Sequence, residues 1–263
     1  MASNKLRIAI LGASGYTGAE LVRLLSRHPH VQIVALTADR QAGKPASEVF
    51  PQLVLADLPN LTKIDEVDWT GVDFVFCCLP HGLTQEVVAK LPAHLRIVDL
   101  SADFRLTDLD AYATWYGHAH LAPELQKDAV YGLTELNRDA VRKARLVANP
   151  GCYPTAAQLP LIPLIEAGLI VADDIIIDAK SGASGAGRDA KLGSLFAEVA
   201  DGIHAYGVAS HRHAPEIEQG LSEAAGKPII VNFTPHLMPM SRGILATIYV
   251  KLAPGATVDK LRA

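Results

Sequence analysis

The chain has 263 residues, 49% of them hydrophobic and 20% charged, the balance of a soluble globular protein with one large or two medium domains. Its 24 basic and 28 acidic residues leave a net charge of −4 with no basic block, so the electrostatic footprint of a nucleic-acid binder is missing. The apolar run in the opening MASNKLRIAILGASG is too short for a signal peptide or a membrane span, and three cysteines without CxxC spacing give neither a disulfide framework nor a zinc site. A reducing, cytoplasmic setting is expected.

In chain order, LRIAIL (6–11) predicts a buried strand, GASGYTG a turn, and AELVRLLSRHP a helix closed by Pro29. VQIVALTA (31–38) completes a βαβ unit. DFVFCCLP (73–80) and LRIVDLSA (95–102) read as further parallel strands with the helix TQEVVAKLP between them. This alternation predicts an α/β, doubly wound Rossmann domain over 1–150. After NPGCYPT come a helical, proline-containing stretch, the strand DIIIDAKSG, a candidate helix DAKLGSLFAEVADG, and the strands PIIVNFTPHL and RGILATIYVKL. These predict an α+β catalytic and dimerisation domain over 151–263.

Gly12, Gly15 and Gly18 form GxxGxxG between a strand and a helix, which brings backbone amides to a pyrophosphate at the positive end of the helix. A ligand-free βα turn is the other reading. At the end of the second strand Asp39 and Arg40 are neighbours, so position leaves NAD and NADP open; Thr37, Arg40 and Lys44 as a phosphate pocket favour NADP.

In NPGCYPT, Cys152 sits between two prolines, a stiff turn that pins a thiol in place. HRH at 211–213 offers imidazoles to lower a thiol pKa and move its proton. A solvated loop competes with that reading, and so does a metal site, which no further ligand cluster supports. Arg105 in SADFR is an anion clamp or a surface ion-pair partner, and SGASGAGR (181–188) a phosphate cradle or a flexible connector. Cys77 and Cys78 read as core residues on opposite faces of a strand.

The motifs GASGYTGAELVRLL, FCCLPHG, DLSADFRL, VYGLTELNR, NPGCYPTA, KSGASGAGR, HRHAPEI and PMSRGIL, in this order, resemble the N-acetyl-gamma-glutamyl-phosphate reductases of arginine biosynthesis. The resemblance implies NADPH, a homodimer or homotetramer, an acyl-phosphate substrate and no metal. It implies Cys152 as nucleophile and His211 or His213 as acid/base, His213 favoured. Cofactor contacts carried over are Gly12, Ser14, Gly15, Tyr16, Thr17, Gly18, Thr37, Arg40, Pro80, Ser181 and Gly182, and substrate contacts are Arg105, Ser184 and Arg188. Family members continue for some tens of residues past the end of this chain, so either a truncated piece or the loss of part of the cofactor site is expected. Rival readings are an aspartate-semialdehyde dehydrogenase, a non-catalytic nucleotide-binding module and a cofactor-free cysteine acyl hydrolase.

Overall fold

The computed structural model describes residues 5–262. The chain divides into two compact units: residues up to Leu109 with Ala119–Asn149, and Asp110–His118 with Pro150 onward.

The first unit is built on seven parallel strands: β1 (Leu6–Leu11), β2 (Val31–Thr37), β3 (Leu61–Thr62), β4 (Phe74–Cys77), β5 (Arg96–Asp99), β6 (Ala129–Tyr131) and β7 (Leu146–Ala148). Parallel strands covered on both faces need apolar residues along their buried length, which is why IAIL (8–11) and FVFC (74–77) are unbroken runs. Ile8 and Ile10 enter one core, with Ile33 and Leu36, while Ala9 and Leu11 enter the other, with Val75 and Ile97. Each such isoleucine contributes about 1.5–3 kcal/mol by leaving water. Cys77 lies in the second core and Cys78 packs against the first, on opposite faces as the alternation requires.

Helices α1 (Tyr16–Leu25), α2 (Ala46–Val49) and α3 (Thr84–Lys90) follow β1, β2 and β4. After α4 (Leu109–Tyr116) come α5 (Pro123–Asp128) and α6 (Thr134–Lys143). The strand order β3-β2-β1-β4-β5-β7-β6 reverses between β1 and β4, and ligands of open parallel sheets bind at the carboxyl ends of the strands at that reversal.

The second unit holds α7 (Cys152–Glu166), β8 (Ile170–Gly182), α8 (Phe196–Val199), β9 (His204–Ala205), α9 (Ala214–Ala225), β10 (Val231–Met238), β11 (Ile244–Leu252) and α10 (Val258–Arg262). Its mixed sheet runs β11-β8-β10-β9, with β8 and β10 parallel and the remaining pairs antiparallel. The inner face, Ile175, Ile177, Ala179, Val231 and Phe233, forms one core with Tyr153, Ala157 and Leu161 of α7 and Ile217 and Leu221 of α9. On the outer face the register aligns Ile176 with Tyr249, Asp178 with Thr247, and Lys180 with Leu245. There Lys180 Nζ lies 2.5 Å from Asp178, and His236 Nδ1 3.2 Å from the same carboxylate.

The expected boundary at 150 places residues 110–118 in the first domain, whereas contacts group them with the second unit. Tyr112 and Tyr116 stack at 4.7 Å, and the Arg212 guanidinium lies 5.2 Å from the Tyr116 ring centre, a cation–π contact. The helix expected over 189–202 reduces to a 3-10 turn at Leu192–Ser194 and the four-residue α8. Leu192 and Phe196 are exposed there, and a helix without a buried apolar face lacks its main support. No helix among the described residues is long and apolar enough to cross a membrane.

Candidate active site

Gly12 opens the β1–α1 loop at φ +74, and a Cβ there would stand 2.4 Å from the Cys78 carbonyl oxygen, so only glycine fits. The Gly12 N–H donates to Thr37 Oγ1 at 3.3 Å and the Ala13 N–H to the Thr37 carbonyl at 2.8 Å. Thr37 is 1% exposed and therefore latches the loop to β2; the phosphate-contact role expected for it does not suit a buried hydroxyl already engaged. Arg40 and Lys44 are exposed on the turn that follows, as is Asp39.

Helix α1 begins at Gly15 with no capping side chain and no acidic residue in its first turn, so nothing negative neutralises its positive end. Ser14, Gly15, Tyr16 and Thr17 border that end without being buried, while Gly18 is packed so closely that a Cβ would fall 2.6 Å from Ala13 Cα. A fixed glycine loop leading to an uncapped helix start fits a pyrophosphate.

Pro80 is exposed just past β4, where His81 Nδ1 accepts the Ala102 N–H at 3.0 Å. Buried Asp103 accepts from the amides of Gly82 and Thr84 at 2.8 and 3.0 Å, holding the start of α3. Asp99 accepts from the Ser101 amide and hydroxyl at 2.9 and 2.7 Å, yet burial pushes its carboxyl up to about 7. Arg105, expected to clamp substrate, is 5% exposed. Its Nε donates to the Asn149 carbonyl at 2.8 Å and its Nη2 to that of Leu100 at 3.2 Å, so it fastens β5 to the segment leading into NPGC. Two of its five N–H groups are thus committed to backbone oxygens.

Cys152 is exposed and is the first residue of α7, so the expected stiff turn is a helix start. The prolines do not prevent this: Pro150 precedes the helix, and Pro154 falls in the first turn, where its missing N–H has no intrahelical partner to lose. The cap residue is Gly151, whose N–H donates to Glu216 Oε1 at 2.8 Å. Glu216 is 1% exposed and sits in the first turn of α9, and its carbonyl accepts Gln158 Nε2 at 2.7 Å. These two bonds fix the start of α7 to the start of α9.

His213 is the cap residue of α9, and its N–H donates to His211 Nδ1 at 3.1 Å. Tyr153 packs edge-on against His211 and His213 with centroids 5.4 and 5.9 Å apart, and Tyr206 against His211 at 5.5 Å. The Tyr153 and Tyr206 hydroxyls meet at 2.9 Å, and burial raises both phenol pKa values. Cys152 directly precedes Tyr153 at the start of α7, which brings the thiol to the same end of that helix as the ring cluster. Burial, then the Arg212 charge, pushes His211 down to about 4.

The 181–188 loop does not cradle a phosphate with its leading amides. Those of Gly182, Ala183 and Ser184 donate to the carbonyls of Gly243, Met240 and Ser241, each within 3.0 Å. Ser181 is buried and its hydroxyl donates to the Gly182 carbonyl, and a Cβ at Gly182 would lie 2.7 Å from the Arg242 nitrogen, so both serve packing where cofactor contact was expected. Ser184 is half-buried and Arg188 exposed. No metal-holding cluster of His, Cys, Asp and Glu occurs among the described residues.

Residues 7–144 match the family model for the semialdehyde dehydrogenase NAD binding domain, and 152–263 that for the semialdehyde dehydrogenase dimerisation domain. The chain is 66% identical over 265 residues to the N-acetyl-gamma-glutamyl-phosphate reductase of Rhodospirillum rubrum, covering 99% of this chain and 75% of that protein. The chain belongs to the N-acetyl-gamma-glutamyl-phosphate reductase family. A relative from Oryza sativa subsp. japonica, described as a probable chloroplastic N-acetyl-gamma-glutamyl-phosphate reductase, is 62% identical; the match covers 98% of this chain and 62% of that protein. The chain thus spans between three fifths and three quarters of the length of these reductases. Among solved structures, aspartate semialdehyde dehydrogenase II from Vibrio cholerae gives a TM-score of 0.68 at 17% identity over 94% of this chain and 75% of that one. Aspartate semialdehyde dehydrogenase with NADP from Candida albicans gives 0.68 at 19%, over 98% and 75%. These two likenesses are of fold.

Sequence reasoning missed Tyr153, Tyr206 and Gln158, and gave Glu216 no role. An acid three residues after a helix cap ordinarily reaches back to its own cap residue. Glu216 reaches the cap of another helix, and no local pattern announces that.

Proposed function

We propose that the chain reduces N-acetyl-gamma-glutamyl phosphate to N-acetylglutamate semialdehyde, releasing phosphate and using NADPH, within arginine biosynthesis. The observation that carries this reading is an exposed thiol at the first residue of a helix whose cap is held by a buried carboxylate, next to Tyr153, whose ring packs on two histidines, in a chain of this family. The β1–α1 loop and the start of α1 would hold the cofactor's pyrophosphate, with Arg40 and Lys44 meeting the 2′-phosphate that distinguishes NADP. Bound NADPH would supply the hydride.

The remaining chemistry belongs to the chain. His213 takes the Cys152 proton, and the sulfur bonds to the acyl carbon as the bond from that carbon to the phosphate oxygen breaks. Phosphate leaves with the electron pair, and the acyl group remains on sulfur as a thioester. After reduction at that carbon, the C–S bond of the thiohemiacetal breaks, the electron pair returns to sulfur, and the aldehyde departs. The imidazole exchanges the proton in both halves.

The chain's partner is a second copy of itself. On the outer face of the second sheet Ile176, Leu245 and Tyr249 are 45, 64 and 56% exposed, an apolar rim around the Lys180–Asp178–His236 cluster, and the matched domain is a dimerisation domain. Its three free cysteines suit a reducing compartment such as the cytoplasm.

The test is oxidation of N-acetylglutamate semialdehyde with NADP and phosphate, beside aspartate semialdehyde as the rival substrate. Cys152→Ser should lose ~10³-fold or more in kcat while its NADP Kd changes less than about twofold, because a thiol-to-hydroxyl exchange leaves the glycine loop intact. Preference for aspartate semialdehyde, or full activity in Cys152→Ser, would overturn the reading.

A further inference from the structure

His211 is held by rings on several sides, with centroids of Tyr153, Tyr206, Phe233 and His213 at 5.4, 5.5, 5.4 and 4.8 Å. Its Nδ1 accepts the backbone N–H of His213, so that nitrogen bears no proton and the neutral ring carries its hydrogen on Nε2. Among the described residues Nε2 has no hydrogen-bond partner, and it is absent from the buried polar atoms left without one. Nε2 is therefore not sealed from solvent. The charged and titratable groups about the ring are Arg212, His213, Tyr153 and Tyr206, and Cys152 directly precedes Tyr153 at the start of α7. The thiol and His211 thus both adjoin Tyr153.

Resting on the reductase reading above, we propose that His211 is an uncharged hydrogen-bond donor, through Nε2–H, to the oxygen of the acyl group carried by Cys152. It takes up no proton during turnover, and the proton exchange falls to His213. An imidazole buried among rings beside Arg212 resists charging, which its lowered pKa of about 4 reflects. Such a ring is a weak base at neutral pH, but its N–H is already fixed in place by the rings around it when negative charge builds on the acyl oxygen.

Two measurements on the full chain test this. In the first, ¹⁵N-histidine NMR of the unliganded protein, with His211 assigned by its absence in His211→Gln, should show the neutral Nε2–H form throughout pH 8 to 5. A titration midpoint between pH 6 and 7, or the Nδ1–H form, overturns the proposal whatever the substrate proves to be. In the second, semialdehyde oxidation is followed against pH. A glutamine amide places N–H near Nε2, so His211→Gln should keep kcat within about tenfold, while His211→Ala falls ~10²–10³-fold, the cost of one oxyanion donor. The pH midpoint of kcat should stay at the wild-type value in both. Loss of that limb in His211→Ala, or equal loss in the glutamine and alanine variants, overturns the donor role. Absence of turnover in the wild-type chain overturns the reductase reading and the donor role with it, and leaves the NMR result to decide the protonation state.

Discussion

The carboxylate of Glu216 on α9 receives the N–H of Gly151 on the cap of α7, at 2.8 Å and out of contact with water. One bond thereby sets the distance between the helix that starts with Cys152 and the helix capped by His213. Glu216→Ala leaves a buried amide without its acceptor and should cost about 1.5–3 kcal/mol of stability. A displaced thiol should lower kcat further, by ~10²-fold for a shift of about 1 Å. Glu216→Gln keeps an acceptor oxygen and removes a negative charge near the sulfur, so it should retain most activity while Cys152 alkylates faster at neutral pH. Denaturation midpoints, kcat and iodoacetamide rates separate the two effects, and equal behaviour of the alanine and glutamine variants would exclude positioning.

Cofactor preference should depend on the turn after β2. With Thr37 buried, Arg40 and Lys44 are the cations left to meet a 2′-phosphate. Arg40→Ala should narrow the NADP:NAD ratio of kcat/KM by about tenfold, roughly the value of one charge-assisted hydrogen bond. Asp39→Ala should shift the ratio toward NADP, since the carboxylate repels that phosphate. An unchanged ratio in both variants would remove this turn from cofactor selection.

Asp99 gives the fold a pH dependence of its own. Burial holds the folded carboxyl near 7 against an ordinary value of 3.8, so the folded state binds more protons between those values. Stability contributed by this group is therefore full at low pH and falls as pH rises through that window. Asp99→Asn should flatten the fall, measured as the difference in urea midpoint between pH 4.5 and 7.5 for variant and wild type. An identical difference in the two proteins would mean that the carboxyl ionises in the folded state much as it does unfolded.

The outer face of the second sheet offers a test of assembly. Tyr249→Glu and Leu245→Glu place like charges on a surface that would meet its own copy, and should convert the assembled wild type to monomer in sedimentation velocity. Both side chains are exposed, so the monomer's own unfolding midpoint should change little, within the ~0.5 kcal/mol typical of surface changes. Wild-type and variant chains of equal mass would move the interface elsewhere.

The parallel sheet was legible because strands buried on both faces are written as runs that are mostly apolar, and β1, β2, β4 and β5 stand where LRIAIL, VQIVALT, FVFC and RIVD lie, with polar residues near the ends of all but FVFC. Short edge strands such as β3, β6 and β9 escaped, as two or three residues carry no period. Cys152 and the HRH pair could be found from residue type and spacing. The parts that hold them could not. Arg105 and Thr37 looked like ligand contacts because cation and hydroxyl chemistry is visible in a sequence, while their engagement with Asn149 and Gly12 depends on pairings 44 and 25 residues apart. The prolines of NPGCYPT suggested a rigid turn, and the helix start became visible only once Gly151 had its distant acceptor.

The segment SGASGAGR has the composition of a flexible linker, yet its first three amides after Ser181 are sewn to the carbonyls of 240–243. Backbone that is sewn on one side stores little conformational entropy, whatever its glycine content. Those amide hydrogens should exchange with deuterium as slowly as those of β8 itself, and limited proteolysis should spare Gly182–Ser184 while cutting after exposed Arg188. A hinge proposed here from composition would be placed on a seam.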